Sequence, residues 1–146
     1  MEEARIEKSL KLFVVLSRAS KVLMESANGV FEAHGLNPTE FAVLELLYHK
    51  GPQPIQKIGQ KILLQSGSMT YVINQLEKKQ LLRRERCPED RRVIHINITE
   101  EGHALIEKIF PAHERQLAEL MNELSDEEMD TLIHLTKKLG LSIRQL

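Results

Sequence analysis

The stretch RRERCPEDRRVIHINITEEG, residues 83–102, decides the fold. Its first ten residues hold five of the chain's nine arginines. Behind them Ile94, Ile96 and Ile98 alternate with His95 and Asn97, the period of two of a strand with one covered face. We predict strands over 81–86 and 92–98, joined as a hairpin by Cys87-Pro88-Glu89-Asp90-Arg91. The isoleucines anchor this hairpin and leave its tip free to project. Thr99 then caps a helix, EEGHALIEKIFPAHERQLAELMNEL, that Pro111 should kink. Ser125 and Glu128 form a capping box for a last helix, striped by Met129, Leu132, Ile133, Thr136 and Leu139.

Upstream, residues 6–31 read as one long helix, with Ile6, Leu10, Phe13, Ser17, Ser20, Leu23, Ala27 and Val30 at three- and four-residue steps. His34-Gly35 ends it. In LNPTEFAVLELLYHKG, Asn37 caps, Pro38 takes the first helical position and Glu40 completes a capping box. Phe41, Leu44, Leu47 and Tyr48 form the buried stripe, and Gly51-Pro52 stops the helix. A short third helix runs from 54 to about 62, buried through Ile55, Ile58 and Ile62. A tight turn near Leu64-Gln65 leads to a fourth, 66–79.

Two short helices, a turn and a hairpin spell a winged helix-turn-helix. The fold class is mainly α, one domain over 1–146, with a winged lobe at 37–99. The flanking helices, 1–34 and 100–146, carry more apolar surface than one small domain covers, and a second copy would bury it.

The composition, 42% apolar and 28% charged, is that of a soluble globular chain. No signal peptide or membrane-length apolar run is evident, and the single cysteine allows no internal disulfide, so a cytoplasmic protein is expected. The formal charge of -1 hides an asymmetry. Residues 56–92 hold nine Lys/Arg against four Asp/Glu, the remainder eleven against seventeen. A basic face for a polyanion on an acidic body is one reading; a solvated surface with random clustering is the other.

The fourth helix favours the first. On a helical wheel Met69, Val72, Ile73 and Leu76 share one side. Gly67, Tyr71, Asn74 and Lys78 lie opposite, with Ser68, Thr70 and Gln75 at the margins. Such short hydrogen-bonding side chains suit base edges in a major groove, and Gly67 permits close approach. On the hairpin, Arg83, Arg84 and Arg86 line the first strand while Arg91 and Arg92 sit at the loop's exit. A projecting arginine suits the narrow A·T minor groove, and Asp90, two residues away, can orient Arg92.

PEDRRVIHINITEEG, together with QSGSMTYVINQLEKKQLL and LNPTEFAVLELL, resembles the MarR family of bacterial transcription regulators. The likeness covers essentially the whole chain, and the Asp-x-Arg wing followed by Thr-x-x-Gly is its most specific part. It implies a homodimeric, ligand-responsive repressor on a pseudo-palindrome in double-stranded DNA, joined through its terminal helices. It implies wing-tip roles for Asp90 and Arg92, and places Ser66, Ser68, Thr70, Tyr71 and Asn74 on the major-groove helix. KSLKLFVVLSRASK and ILLQSGSMTYV also resemble the MhqR-type branch, which responds to quinones and related aromatics. The family implies an effector site where the terminal helices meet the winged lobe. Phe13, Ser17, His34, Phe41 and Phe110 are candidates by position, core packing being the other reading of each. Cys87 stands where many members have Asp, outside the first-helix sensor position of redox-responsive relatives. Its arginine neighbours can activate a thiol, but a tolerated loop residue accounts for it as well.

No Walker loop, GxGxxG, HExxH or CxxC motif occurs, and the six histidines show no tight metal-ligand spacing. No enzyme activity, cofactor or metal is expected. A winged helix used only for protein contacts would fit the same fold. An arginine-rich projecting hairpin argues against it.

Overall fold

The computed structural model describes residues 2–62 and 68–144. The expected turn at Leu64-Gln65, and positions Ser66 and Gly67, lie outside the described residues. The elements run α1 (Glu2–Glu32), α2 (Pro38–Lys50), β1 (Gln53–Pro54), α3 (Ile55–Lys61), α4 (Met69–Lys78), β2 (Leu82–Arg86), β3 (Ile94–Ile98), α5 (Glu100–Leu120) and α6 (Asp126–Ile143). The mainly helical winged helix-turn-helix expected from the sequence is present.

Local chemistry starts the helices where it should. At α2, Glu40 N–H donates to Asn37 Oδ1 at 2.8 Å and Asn37 N–H to Glu40 Oε1 at 3.1 Å. The same reciprocal box opens α6 through Ser125 and Glu128. Each satisfies two amides that the first turn leaves without partners. The core forms where the winged lobe closes on α5. Leu44, Leu47, Ile58, Ile73, Leu76, Ile96, Ile106 and Ile109 are essentially inaccessible. Burying one such side chain contributes about 1.5–3 kcal/mol.

Three expectations change. A third strand exists: β1 pairs antiparallel with β3, Gln53 opposite Ile96, so the sheet order is β1-β3-β2. The hairpin strands are shorter than expected, and Arg92 sits in the turn before β3. Ile94 is 47% exposed while Ile96 is fully buried, so the hairpin is anchored at its base and not along its length. α5 carries Pro111 inside it and runs on past it as one helix to Leu120.

The terminal helices are apolar and uncovered. Leu10, Phe13 and Val15 of α1 are more than half exposed, as are Ile133, Leu135 and Ile143 of α6. Leu16, Leu23, Met121, Met129 and Ile133 line an apolar cleft of about 350 Å³ between them. No helix among the described residues is long and apolar enough to cross a membrane.

Candidate nucleic-acid interface

α4 divides as its wheel dictates. Val72, Ile73 and Leu76 are buried, while Thr70, Tyr71, Asn74 and Lys78 are exposed. Tyr71 is 64% exposed, an aromatic ring held in solvent. Ser68, expected within the helix, is instead its N-cap: the backbone is extended there and Oγ accepts from Thr70 N–H at 3.1 Å. The helix therefore starts later than the serine-rich sequence suggested, at Met69.

The wing's arginines do not form one patch. Cross-strand partners share a face, and the register pairs Leu82, Arg84 and Arg86 with Ile98, Ile96 and Ile94. Arg83 and Glu85 pair with Asn97 and His95 on the other face. Arg84 accordingly turns toward α4, donating to Asn74 Oδ1 at 2.7 Å and lying 3.7 Å from Glu77. Arg83 turns away and pairs with Glu85, which also accepts from Asn97. That hydrogen bond from Arg83 is the largest influence holding the Glu85 carboxyl below its ordinary value. Reading five arginines as one basic surface missed this division, although strand alternation was enough to reveal it.

At the tip the expected pair forms. Arg92 Nε donates to Asp90 Oδ1 at 3.0 Å and its NH2 group to Oδ2 at 3.1 Å, while Arg92 N–H donates to Oδ1 at 3.1 Å. The Arg92 side chain is still 90% exposed. Hydrogen bonding from the Arg92 side chain and then its backbone lowers the Asp90 pKa, and Asp90 raises that of Arg92. The pair is thus intact across the neutral range and is lost only as pH falls through the depressed carboxyl value. Arg86 and Arg91 are also exposed. Cys87 is buried where β2 passes into the tip loop, its N–H bonded to Val93 C=O at 2.9 Å.

Three connections fix α4 relative to α2, the wing and α5, and of these the sequence reading had only the Thr99 cap. Lys79 Nζ donates to Glu40 Oε2 at 2.8 Å and to Gly35 C=O at 2.9 Å, tying the end of α4 to the start of α2. Gln80 adopts φ 62°, with Gln80 N–H bonded to Glu77 C=O and Leu81 N–H to Leu76 C=O. That is a Schellman termination with glutamine where glycine is usual. Thr99 N–H then donates to Leu81 C=O and Thr99 Oγ1 to Gln80 C=O, while Oγ1 accepts from Gly102 N–H at 3.0 Å. The Thr-x-x-Gly sequence is therefore the joint between α4, the wing and α5.

The effector candidates are not gathered in one place. Phe13, 71% exposed, and Ser17 lie on the uncovered part of α1, and His34 is exposed in the α1–α2 turn. Phe41 is core, stacked on Phe31 at 4.6 Å. Phe110, half-buried, meets His49 at 5.1 Å. A different set draws attention. His113 lies edge-on to Phe41 at 4.9 Å, and α1 packs on α5 beside it. On those two helices Asn28 Oδ1, His113 Nδ1 and Gln116 Oε1 are out of solvent without a hydrogen-bond partner. Unsatisfied buried polar atoms are costly, and here three occur on one helix junction. The spacing of Phe110, His113 and Gln116 along α5 hinted at a shared face, but Asn28 is too distant in sequence to have been associated with them.

The sequence pattern described as the MarR family matches residues 36–94. The HTH-type transcriptional regulator MhqR of Bacillus subtilis (strain 168) is 54% identical over 139 residues, 95% of this chain and 96% of that one. The transcriptional repressor MprA of Escherichia coli (strain K12) is 32% identical over 85% of this chain and 72% of its own. Among solved structures, reduced AbfR bound to DNA superposes with a TM-score of 0.78 at 23% identity, covering 99% of this chain and 100% of that one. Bordetella bronchiseptica BpsR, whose DNA binding is regulated by 6-hydroxynicotinic acid, gives 0.79 at 22% identity over 88% and 92%.

Proposed function

Since the chain belongs to the MarR family of transcription regulators, we propose that it is a homodimeric repressor that reads a pseudo-palindrome with two copies of α4. The observation that carries this reading is the exposed hydrogen-bonding face of α4 beside a projecting arginine already oriented by its aspartate. Thr70, Tyr71, Asn74 and Lys78 would face the major groove, and Arg92, with Arg86 and Arg91 near it, the adjacent minor groove. The uncovered apolar faces of α1 and α6 are the dimer interface in this reading, which sets the two α4 helices about one helical turn of DNA apart. MprA is itself named a repressor, and AbfR was solved on DNA. The chain is expected to sediment as a dimer at micromolar concentration and to retard its own promoter DNA. Affinity should fall steeply with salt, with a log–log slope of about -0.9 per phosphate contacted. A monomer, or binding indifferent to sequence, overturns this reading.

The effector is a small phenol or quinone-derived aromatic held at the α1–α5 junction. Phe31, Phe41 and Phe110 provide apolar aromatic walls, and the unpartnered Asn28 and Gln116 oxygens accept from a ligand hydroxyl. BpsR, with its hydroxylated aromatic effector, offers a parallel. The ligand acts only if it prefers a half-site separation that does not fit DNA. Hydroquinone and phenol should release the wild type from DNA about tenfold more readily than Gln116→Leu or His113→Leu. DNA affinity unchanged by either compound removes the effector proposal.

Because the Cys87 thiol is buried, Cys87→Ser should leave the response to oxidants and quinones largely intact. Loss of that response, with DNA binding preserved, would assign the thiol a sensing role.

A further inference from the structure

We propose that Arg84 is a positioning residue for base recognition, acting through Asn74 rather than on phosphate. This rests on the placement of α4 in the major groove. Arg84 was expected to be one more positive charge along the wing. Instead its guanidinium lies against α4, held by Asn74 and Glu77 one turn apart: 2.7 Å to Asn74 Oδ1 and 3.7 Å to Glu77. About a third of the Arg84 side chain is exposed, against nearly all of Arg92.

The chemistry of the contact removes an ambiguity. An asparagine amide can usually point either way, presenting its oxygen or its NH2 group. A guanidinium carries only donors, so the Asn74 atom facing it must be the oxygen. Asn74 is otherwise exposed on the outward face of α4. Its amide is therefore held with the NH2 group directed away from Arg84, as a donor for an acceptor such as purine N7, guanine O6 or thymine O4. Without Arg84 the amide is free to flip, and Asn74 offers donor and acceptor with less discrimination. The fixed orientation costs the DNA complex less ordering when it forms. Glu77 contributes by keeping the guanidinium on the helix, where it does not reach for the backbone.

The test is selection from a pool of random duplexes, followed by affinities on the selected site and its single-base variants. Wild type, Asn74→Ala, Arg84→Met and Arg84→Lys are compared, with the salt slope of each. Asn74→Ala identifies its operator position by flattening the preference there. Arg84→Met, which keeps an unbranched stem and loses every donor, should reduce discrimination at that same position by about fivefold or more. Other positions should keep their ranking and the salt slope should stay close to wild type. Arg84→Lys, which keeps a donor, should retain most of the discrimination. A uniform loss of affinity on all sequences in Arg84→Met, with the slope reduced by about one, identifies an ordinary phosphate contact and overturns the inference. So does unchanged discrimination at the Asn74 position. If the wild type selects no sequence, the DNA-reading function itself fails, and this inference with it.

Discussion

Gly102→Ala is expected to destabilise the protein by about 2–3 kcal/mol, although the same change inside a helix ordinarily stabilises by up to about 1 kcal/mol. A Cβ on Gly102 would lie 2.1 Å from the Leu81 carbonyl oxygen and 2.7 Å from Ile98 Cγ1. Neither neighbour can yield cheaply. Leu81 C=O is the acceptor for Thr99 N–H, and Leu81 follows the left-handed Gln80. Ile98 ends β3 opposite the buried Leu82. Relieving the overlap means separating α5 from the α4–β2 turn, which breaks the Thr99 bonds and opens the core beside Ile106. Gly59→Ala in α3 is the control, because nothing lies within 4 Å of a Cβ there. It should hold or raise stability by about 0.5–1 kcal/mol. Thermal unfolding at one protein concentration compares them. The expected loss is roughly 5–10 °C for Gly102→Ala, and a variant that melts at or above wild type sinks the packing account.

Arg92→Ala should cost about 1–3 kcal/mol of operator binding, roughly 5- to 150-fold, and lower the preference for A·T at the outer positions of the site. Asp90→Ala should weaken specific binding too. By charge alone the sign ought to be opposite, since a carboxylate near phosphates is repelled and its removal should help. Asp90, however, binds both the side chain and the N–H of Arg92. Without it, a fully projecting arginine must be ordered by the DNA, and rotamer entropy is lost at that step. Affinities of both variants on operator and scrambled duplexes at one salt concentration decide between the accounts. Tighter operator binding by Asp90→Ala makes the wing a bulk electrostatic patch.

What the sequence revealed was what local chemistry governs. Both capping boxes close within four residues, so Asn37, Glu40, Ser125 and Glu128 could be read directly. The inward and outward faces of α4 follow from periodicity alone. Long-range features were less visible. β1 is two residues long and exists only because β3 offers it an edge. No local pattern pairs Lys79 with Glu40, which the fold brings to it across 39 residues of chain. The stripe on α1 marked Phe13 and Ser17 as facing something, but periodicity does not say what, and a second copy of the chain fits better than a ligand. The glycine of Thr-x-x-Gly was recognised as a pattern; its reason, a carbonyl 2.1 Å from where a side chain would begin, needed coordinates.

One consequence follows from α5. Its 21 residues form a single rod about 30 Å long. Near one end Thr99 is bonded into the turn behind α4, and toward the other Gln116 donates to the Ser26 carbonyl of α1 at 2.6 Å. α5 runs through Pro111 as one helix, so both attachments belong to a single element. The element behaves as a lever. A tilt of about 5° around the α1 end would carry the Thr99 attachment roughly 2 Å, comparable to the margin within which a hydrogen bond is made or lost.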